Sequence, residues 1–131
     1  MRGDITTDTV TIASGATGLS GAASIKHRDL VGIVTPGTWV AAGIGFAVSY
    51  DGGTTYVYVR RPEVGTANAP VPVKVLELLA ADIPTGEAVF IPLNPDWFAG
   101  ATHVKVRSQT TNVAVDQTAS RVITLVMRQR E

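Results

Sequence analysis

Residues 45–59, "GFAVSYDGGTTYVYV", decide the fold. Phe46, Val48 and Tyr50 recur at every second position, Asp51-Gly52-Gly53 interrupts, and Val57 and Val59 then resume the period opposite Tyr56 and Tyr58. A period of two places alternate side chains on opposite faces of a strand. Asp-Gly and Gly-Gly supply the positive φ that a tight reversal needs, so the stretch reads as a β-hairpin. A calcium loop is the competing reading of an acidic, glycine-rich corner. Calcium takes about six to eight oxygens, usually from several carboxylates, and Asp51 is the only acid between Asp29 and Glu63. The corner is therefore a turn.

The same alternation extends along the chain. "DTVTIA" (8–13), "LVGIV" (30–34), "VKVLEL" (73–78), "AVFIP" (88–92), "HVKVRS" (103–108) and "RVITLVMR" (121–128) read as strands, with a short piece at "AASI" (22–25). "KVLELLAADIP" has helical propensity, but the β-branched entry and the Ile83-Pro84 exit leave too little length, so strand is preferred. "NPDWFAG" holds one helical turn: Asn94 caps, Pro95 suits the first position and Gly100 the residue after the end. Eight or nine short strands with frequent turn signals predict an all-β protein, a single antiparallel β-sandwich of jelly-roll type spanning 1–131. The pattern predicts a flexible N-terminal arm over about 1–7 and a long proline-rich loop over about 60–72. The expected core is Val10, Ile12, Leu30, Ile33, Ile44, Phe46, Val48, Val57, Val75, Phe90, Val104, Val106, Ile123 and Leu125.

Composition narrows the function. Hydrophobic residues make up 45% and charged residues 17%, with eleven basic and eleven acidic side chains giving a formal charge of +0. Binding to nucleic acid through counterion release needs a basic excess, so no nucleic-acid partner is expected. The absence of cysteine excludes disulfides and thiolate chemistry. No window reaches the roughly 18 apolar residues of a membrane helix, and the N-terminus lacks a signal-peptide core. Synthesis in the cytoplasm without a membrane partner is the expectation.

No catalytic pattern emerges. His27 and His103 lie in different segments without metal spacing or a nucleophile elbow. His103, Lys105 and Arg107 share one face of their strand, a solvated or partner-facing one. Glu77, Asp82 and Glu87 read as scattered surface acids, and Arg2-Gly3-Asp4 as a chance tripeptide in a mobile arm. No phosphate-cradling glycine motif opens a helix. The expectation is no enzyme, no metal and no cofactor. Trp39 and Trp97, with Tyr50, Tyr56 and Tyr58, are either packing residues or a platform for a glycan.

Three segments together carry a resemblance. "LVGIVTPGTWVAAGIGFAVSYDGGTTYV" joins a "TPGTW" corner to the hairpin, "AVFIPLNPDWFAGATHVKVRS" joins the capped turn to a strand, and "VAVDQTASRVITLVMR" follows. In order and spacing this resembles small β-sandwich virion proteins of tailed bacteriophages and prophages, over about residues 8–59 and 86–128. The resemblance implies a capsid decoration or cement protein on the particle exterior, binding the major capsid protein and itself as a homotrimer. Head-fibre base, neck or tail connector, and glycan-binding adhesion module are the alternatives. The longer, proline-rich stretch from Arg60 to Gly86 departs from the family pattern. Contact with the shell is therefore expected from the arm (Arg2, Asp4, Thr6) and the loop (Arg60, Arg61, Glu63, Asn68), with possible aromatic contact through Trp39 and Trp97.

Overall fold

A computed structural model describes residues 4–15, 17–62 and 73–130. Strand follows strand: β1 (Ile5–Ile12), β2 (Ala23–Ser24), β3 (Arg28–Val34), β4 (Gly43–Ser49), β5 (Val57–Tyr58), β6 (Arg60–Pro62), β7 (Val73–Val75) and β8 (Glu77–Leu78). After a 3₁₀ turn at Ala80–Asp82 come β9 (Phe90–Pro92), a 3₁₀ turn at Pro95–Phe98, β10 (His103–Thr110), β11 (Val113–Ala114) and β12 (Arg121–Gln129). The second turn is capped as its sequence predicts: Asn94 Oδ1 accepts from the Asp96 N–H at 3.0 Å, and Gly100 takes φ 83°. The segment around 73–78 is strand, as preferred over helix.

Apart from β6 and β7, which form a separate two-stranded ladder, the strands form a two-sheet β-sandwich. The first sheet runs β1-β12-β3-β9; in the second, β10 and β4 are central, with β2 and β11 beside β10 and with β5 and β8 beside β4. The pairing is nested. β1 pairs with β12, β2 with β10, β3 with β9 and β4 with β5, all antiparallel. Between the sheets, Ile12, Leu30, Ile33, Ile123 and Leu125 of the first meet Ile44, Phe46, Val104 and Val106 of the second, each at most 1% exposed. Phe98 meets Phe46 edge-on at 5.2 Å, so the capped turn plugs the sandwich. Gln117 is buried outright, yet its amide is satisfied. It accepts from the Val40 N–H (2.8 Å) and donates to the Val40 carbonyl (2.9 Å) and Ser108 Oγ (2.7 Å), tying two loops together.

Three expectations need correction. Phe90 is 54% exposed, because "AVFIP" fits the period in either phase, and Ile91 and Leu93, not Phe90, turn toward the core. Val57 is 53% exposed at the margin of its two-residue strand, and Val75 is only half-buried. Of the arm expected over 1–7, Ile5, Thr6 and Thr7 belong to β1 and pair with Arg128, Met127 and Val126, the Asp4 carbonyl accepts from the Gln129 N–H, and residues 1–3 lie outside the described residues. Of the loop expected over 60–72, Arg60–Pro62 is a strand paired with Val73–Val75, and the remainder lies outside the described residues.

Candidate functional site

β4 sends Ile44, Phe46 and Val48 into the core, which leaves Gly43, Gly45, Ala47 and Ser49 on its outer side. A central strand with almost no outward side chains is covered by its neighbours: every residue of β4 is buried, and the Gln109 side chain lies over Gly45. The register sets the rungs. His103 lies beside Ser49; Lys105, Ala47 and Tyr58 align; Arg107, Gly45 and Glu77 align. With neighbouring strands about 4.8 Å apart, the Lys105 and Arg107 stems reach across β4 to rings on its far side. Lys105 Nζ stands 4.3 Å from the Tyr56 ring centre and the Arg107 guanidinium carbon 4.7 Å from that of Tyr58. Neither cation has a carboxylate in ion-pair contact among the described residues, where the salt bridge present joins Arg130 to Asp29 at 3.2 Å.

Two carboxylates border this face, Asp51 beyond Ser49 and Glu77 across Gly45 from Arg107, and each is occupied with backbone. At one end Asp51 Oδ1 accepts from Ser49 Oγ (2.7 Å) and from the Thr55 (2.9 Å) and Thr54 (3.1 Å) N–H groups, while Gly52 and Gly53 take φ 81° and 98°. The Thr55 N–H, then the Ser49 and Thr55 hydroxyls, hold the Asp51 pKa down at about 2, against 3.8 ordinarily. The hairpin expected here is present, with Asp51 as its organiser. At the other end Glu77 accepts from Gln109 Nε2 (2.8 Å) and from the Thr111 (2.9 Å) and Asn112 (3.0 Å) N–H groups. Burial pushes the Glu77 pKa up, but the Asn112 N–H, Gln109 amide, Thr111 N–H and Arg107 charge outweigh it and leave the carboxyl below its ordinary range. Thr111 and Asn112 both have positive φ, 50° and 61°, so Glu77 secures a β10–β11 turn that lacks glycine.

The opposite outer face, on the first sheet, has another character. Two rows cross all four strands, Thr9-Thr124-Val34-Phe90 and Thr7-Val126-Gly32-Pro92, flanked by Thr11 and Val122. None of these side chains is charged; charge begins one row further on, at Arg128 and Asp29. Phe90 folds its ring over Gly32, where a Cβ would overlap it.

The residues expected from sequence do not converge on one site. Asp4 and Thr6 sit at the start of β1 in the first sheet, and Arg60 is exposed on β6. Arg2, Glu63 and Asn68 lie outside the described residues, as does the Arg61 side chain. Trp39 is a core residue at 3% exposure, its indole N–H donating to the Ala42 carbonyl at 3.0 Å, which corrects its reading as a contact residue. Trp97 is half-buried against Phe98, its ring centre 6.4 Å away. The face shared by His103, Lys105 and Arg107 is where alternation put it. Its aromatic partners and the role of Glu77 were not visible, because each contact joins segments far apart in sequence. Among the described residues no group of three His, Asp or Glu could hold a metal ion, and no helix is long and apolar enough to cross a membrane. Comparisons with protein-family models, with curated proteins and with solved structures find no match to this chain.

Proposed function

We propose that this protein is a non-enzymatic structural component of a tailed-phage particle, a decoration or cement protein that binds and stabilises the shell of the major capsid protein. The observation that carries the reading is the uncharged outer face of the first sheet, two full rows of Thr, Val, Phe and Pro without one ionised group. Docking such a face strips little tightly held water and buries apolar surface, as the core of a stable interface does. A formal charge of +0 adds no long-range repulsion from a shell of either sign. The nested strand pairing supports the jelly-roll reading of the sandwich, and closed cyclic association, a trimer, suits three-fold positions of an icosahedral shell.

Copy number relative to the major capsid protein, from quantitative mass spectrometry of purified particles, tests the role. Hundreds of copies are expected, falling sharply for Val122→Asp with its melting temperature unchanged. A handful would place the protein at the neck or tail, and none would reject the particle reading.

A further inference from the structure

The two edges of the first sheet are unlike. β9 is three residues long, and its outward-pointing positions are Phe90 and Pro92, of which proline has no N–H to offer. β1 runs for eight residues, Ile-Thr-Thr-Asp-Thr-Val-Thr-Ile, with neither proline nor lysine to blunt it. The Asp4 carbonyl accepts from the Gln129 N–H, and from there inward and outward backbone positions alternate. Ile5, Thr7 and Thr9 therefore turn their N–H and carbonyl groups away from β12, and all three residues are exposed. Among the described residues no strand pairs with this edge, and its first backbone partner is met at Thr11, whose carbonyl accepts from the Gly21 N–H at 3.3 Å. The Thr9 N–H is held by the Asp8 carboxylate at 2.8 Å, a local bond that pairing would exchange for a carbonyl. The second sheet offers no comparable edge among the described residues: β2 and β11 flank β10, and β5 and β8 flank β4.

The edge is complementary to itself, and Asp8, the one charge on the strand, selects the register. A second copy related by a two-fold axis normal to the sheet meets β1 antiparallel, centred on some residue from Ile5 to Thr9. Centring on Thr6 sets Asp8 opposite the partner's Asp4, and centring on Asp8 opposes two Asp8 carboxylates, both destabilising. Centring on Thr9 runs into Gly21 at Thr11, and centring on Ile5 keeps one rung within the strand. Centring on Thr7 forms three rungs: Ile5 with the partner's Thr9, Thr7 with the partner's Thr7, and Thr9 with the partner's Ile5. Asp8 then faces a hydroxyl residue, the partner's Thr6, and Ile5, 56% exposed in the single chain, gains a neighbour in the partner's Thr9. We propose that two copies of this chain join β1 to β1 in that register, merging their first sheets into one eight-stranded sheet. The contact uses the backbone edge of β1 and not the outer side chains that carry the particle reading, so each stands or falls alone.

Sedimentation velocity and amide NMR of the whole protein, diluted from about 1 mM to about 10 μM, test this, since a three-rung contact is smaller than a standard interface and should dissociate in that range. A monomer–dimer equilibrium is expected, with dilution shifts centred on Ile5, Thr7 and Thr9. Thr7→Pro deletes an outward N–H that β12 does not use, so it should weaken dimerisation about tenfold or more with the fold kept. The dilution shifts of the unaltered protein stand even where that variant does not fold. The chain has no cysteine, so a nitroxide on Thr7→Cys or Thr9→Cys reads the register. Labels at Thr7→Cys are directly opposed, whereas those at Thr9→Cys are offset by about 13 Å along the strands, so dipolar broadening should be stronger at Thr7→Cys. A monomer throughout, dilution shifts centred away from β1, or broadening at Thr9→Cys equal to that at Thr7→Cys would overturn the proposal.

Discussion

The two outer faces of this sandwich solve one problem in opposite ways. Each sheet has a glycine in a paired strand, Gly32 in the first and Gly45 in the second, and each hole is filled from a neighbouring strand. Over Gly32 lies Phe90, from a three-residue edge strand and more than half exposed. Over Gly45 lies the Gln109 amide, fully buried and tied to Glu77. The first patch is apolar and loosely held; the second is polar and pinned. The difference shows that the character of a sheet's outer face depends less on its own strand than on what the neighbours lay across it.

Adding a methyl group at each glycine tests that contrast and should give its largest effect. Gly45→Ala must displace an amide that has no free volume to enter and whose loss strands Glu77, a cost of about 1–3 kcal/mol. Gly32→Ala meets a ring that can swing into solvent, with only the Ile91 carbonyl, at 3.1 Å, needing to yield slightly. Replacing a strand glycine also lowers unfolded-state entropy, so the net cost there should stay below about 1 kcal/mol. Urea unfolding of both variants measures the gap. Equal costs would mean that Phe90 is as firmly held as Gln109 and the contrast does not exist.

A smaller effect is expected at Glu77. Glu77→Ala leaves the Gln109 amide and two turn N–H groups without their acceptor, about 1–3 kcal/mol for the buried donor, less whatever water restores. Asn112→Gly removes the positive-φ cost at the turn and should recover part of that loss in the Glu77→Ala background more than it stabilises the parent. A double-mutant cycle by chemical denaturation reads the coupling. Strict additivity would show that Glu77 does not hold the turn.

The legible part of this structure is the part written locally. "GIGFAVS" names its own inward and outward sides, and eleven of the fourteen expected core residues, Phe46 and Ile123 among them, are buried. Asn94 and Gly100 announce the capped turn in adjacent letters. What could not be read depends on distance or on phase. Glu77 meets its turn 34 and 35 residues away, so it looked like one surface acid among several. "TTN" at 110–112 carries no glycine, and nothing local marks it as a reversal. Phe90 was misplaced because a three-residue strand satisfies a period of two in either phase, and only pairing with Val34 chooses. The polar outer face of the second sheet is half legible: alternation groups Lys105 with Arg107, but Tyr56 and Tyr58 reach them only across β4.

The smallest and most local effect concerns acid. Asp51 has its pKa held at about 2 in the folded chain against 3.8 ordinarily, so the folded state favours the ionised form. The sign follows from linkage: a depressed carboxyl contributes stability that is complete above its unfolded value and is lost as pH falls through the folded one. The window therefore runs from just above 3.8 down to about 2. Asp51→Asn keeps a side-chain oxygen for Thr54 and Thr55 but cannot titrate. Its stability deficit against the parent should be largest near neutral pH and shrink through that window, because only the parent loses the contribution. Amide exchange gives the spatial half of the test. Acid should loosen the Thr54 and Thr55 amides before those of β1 and β12, whose outer rows hold no carboxylate. Parallel pH profiles for parent and variant would show that the Asp51 charge adds nothing to the corner, and that the polar face is pinned from the Glu77 end alone.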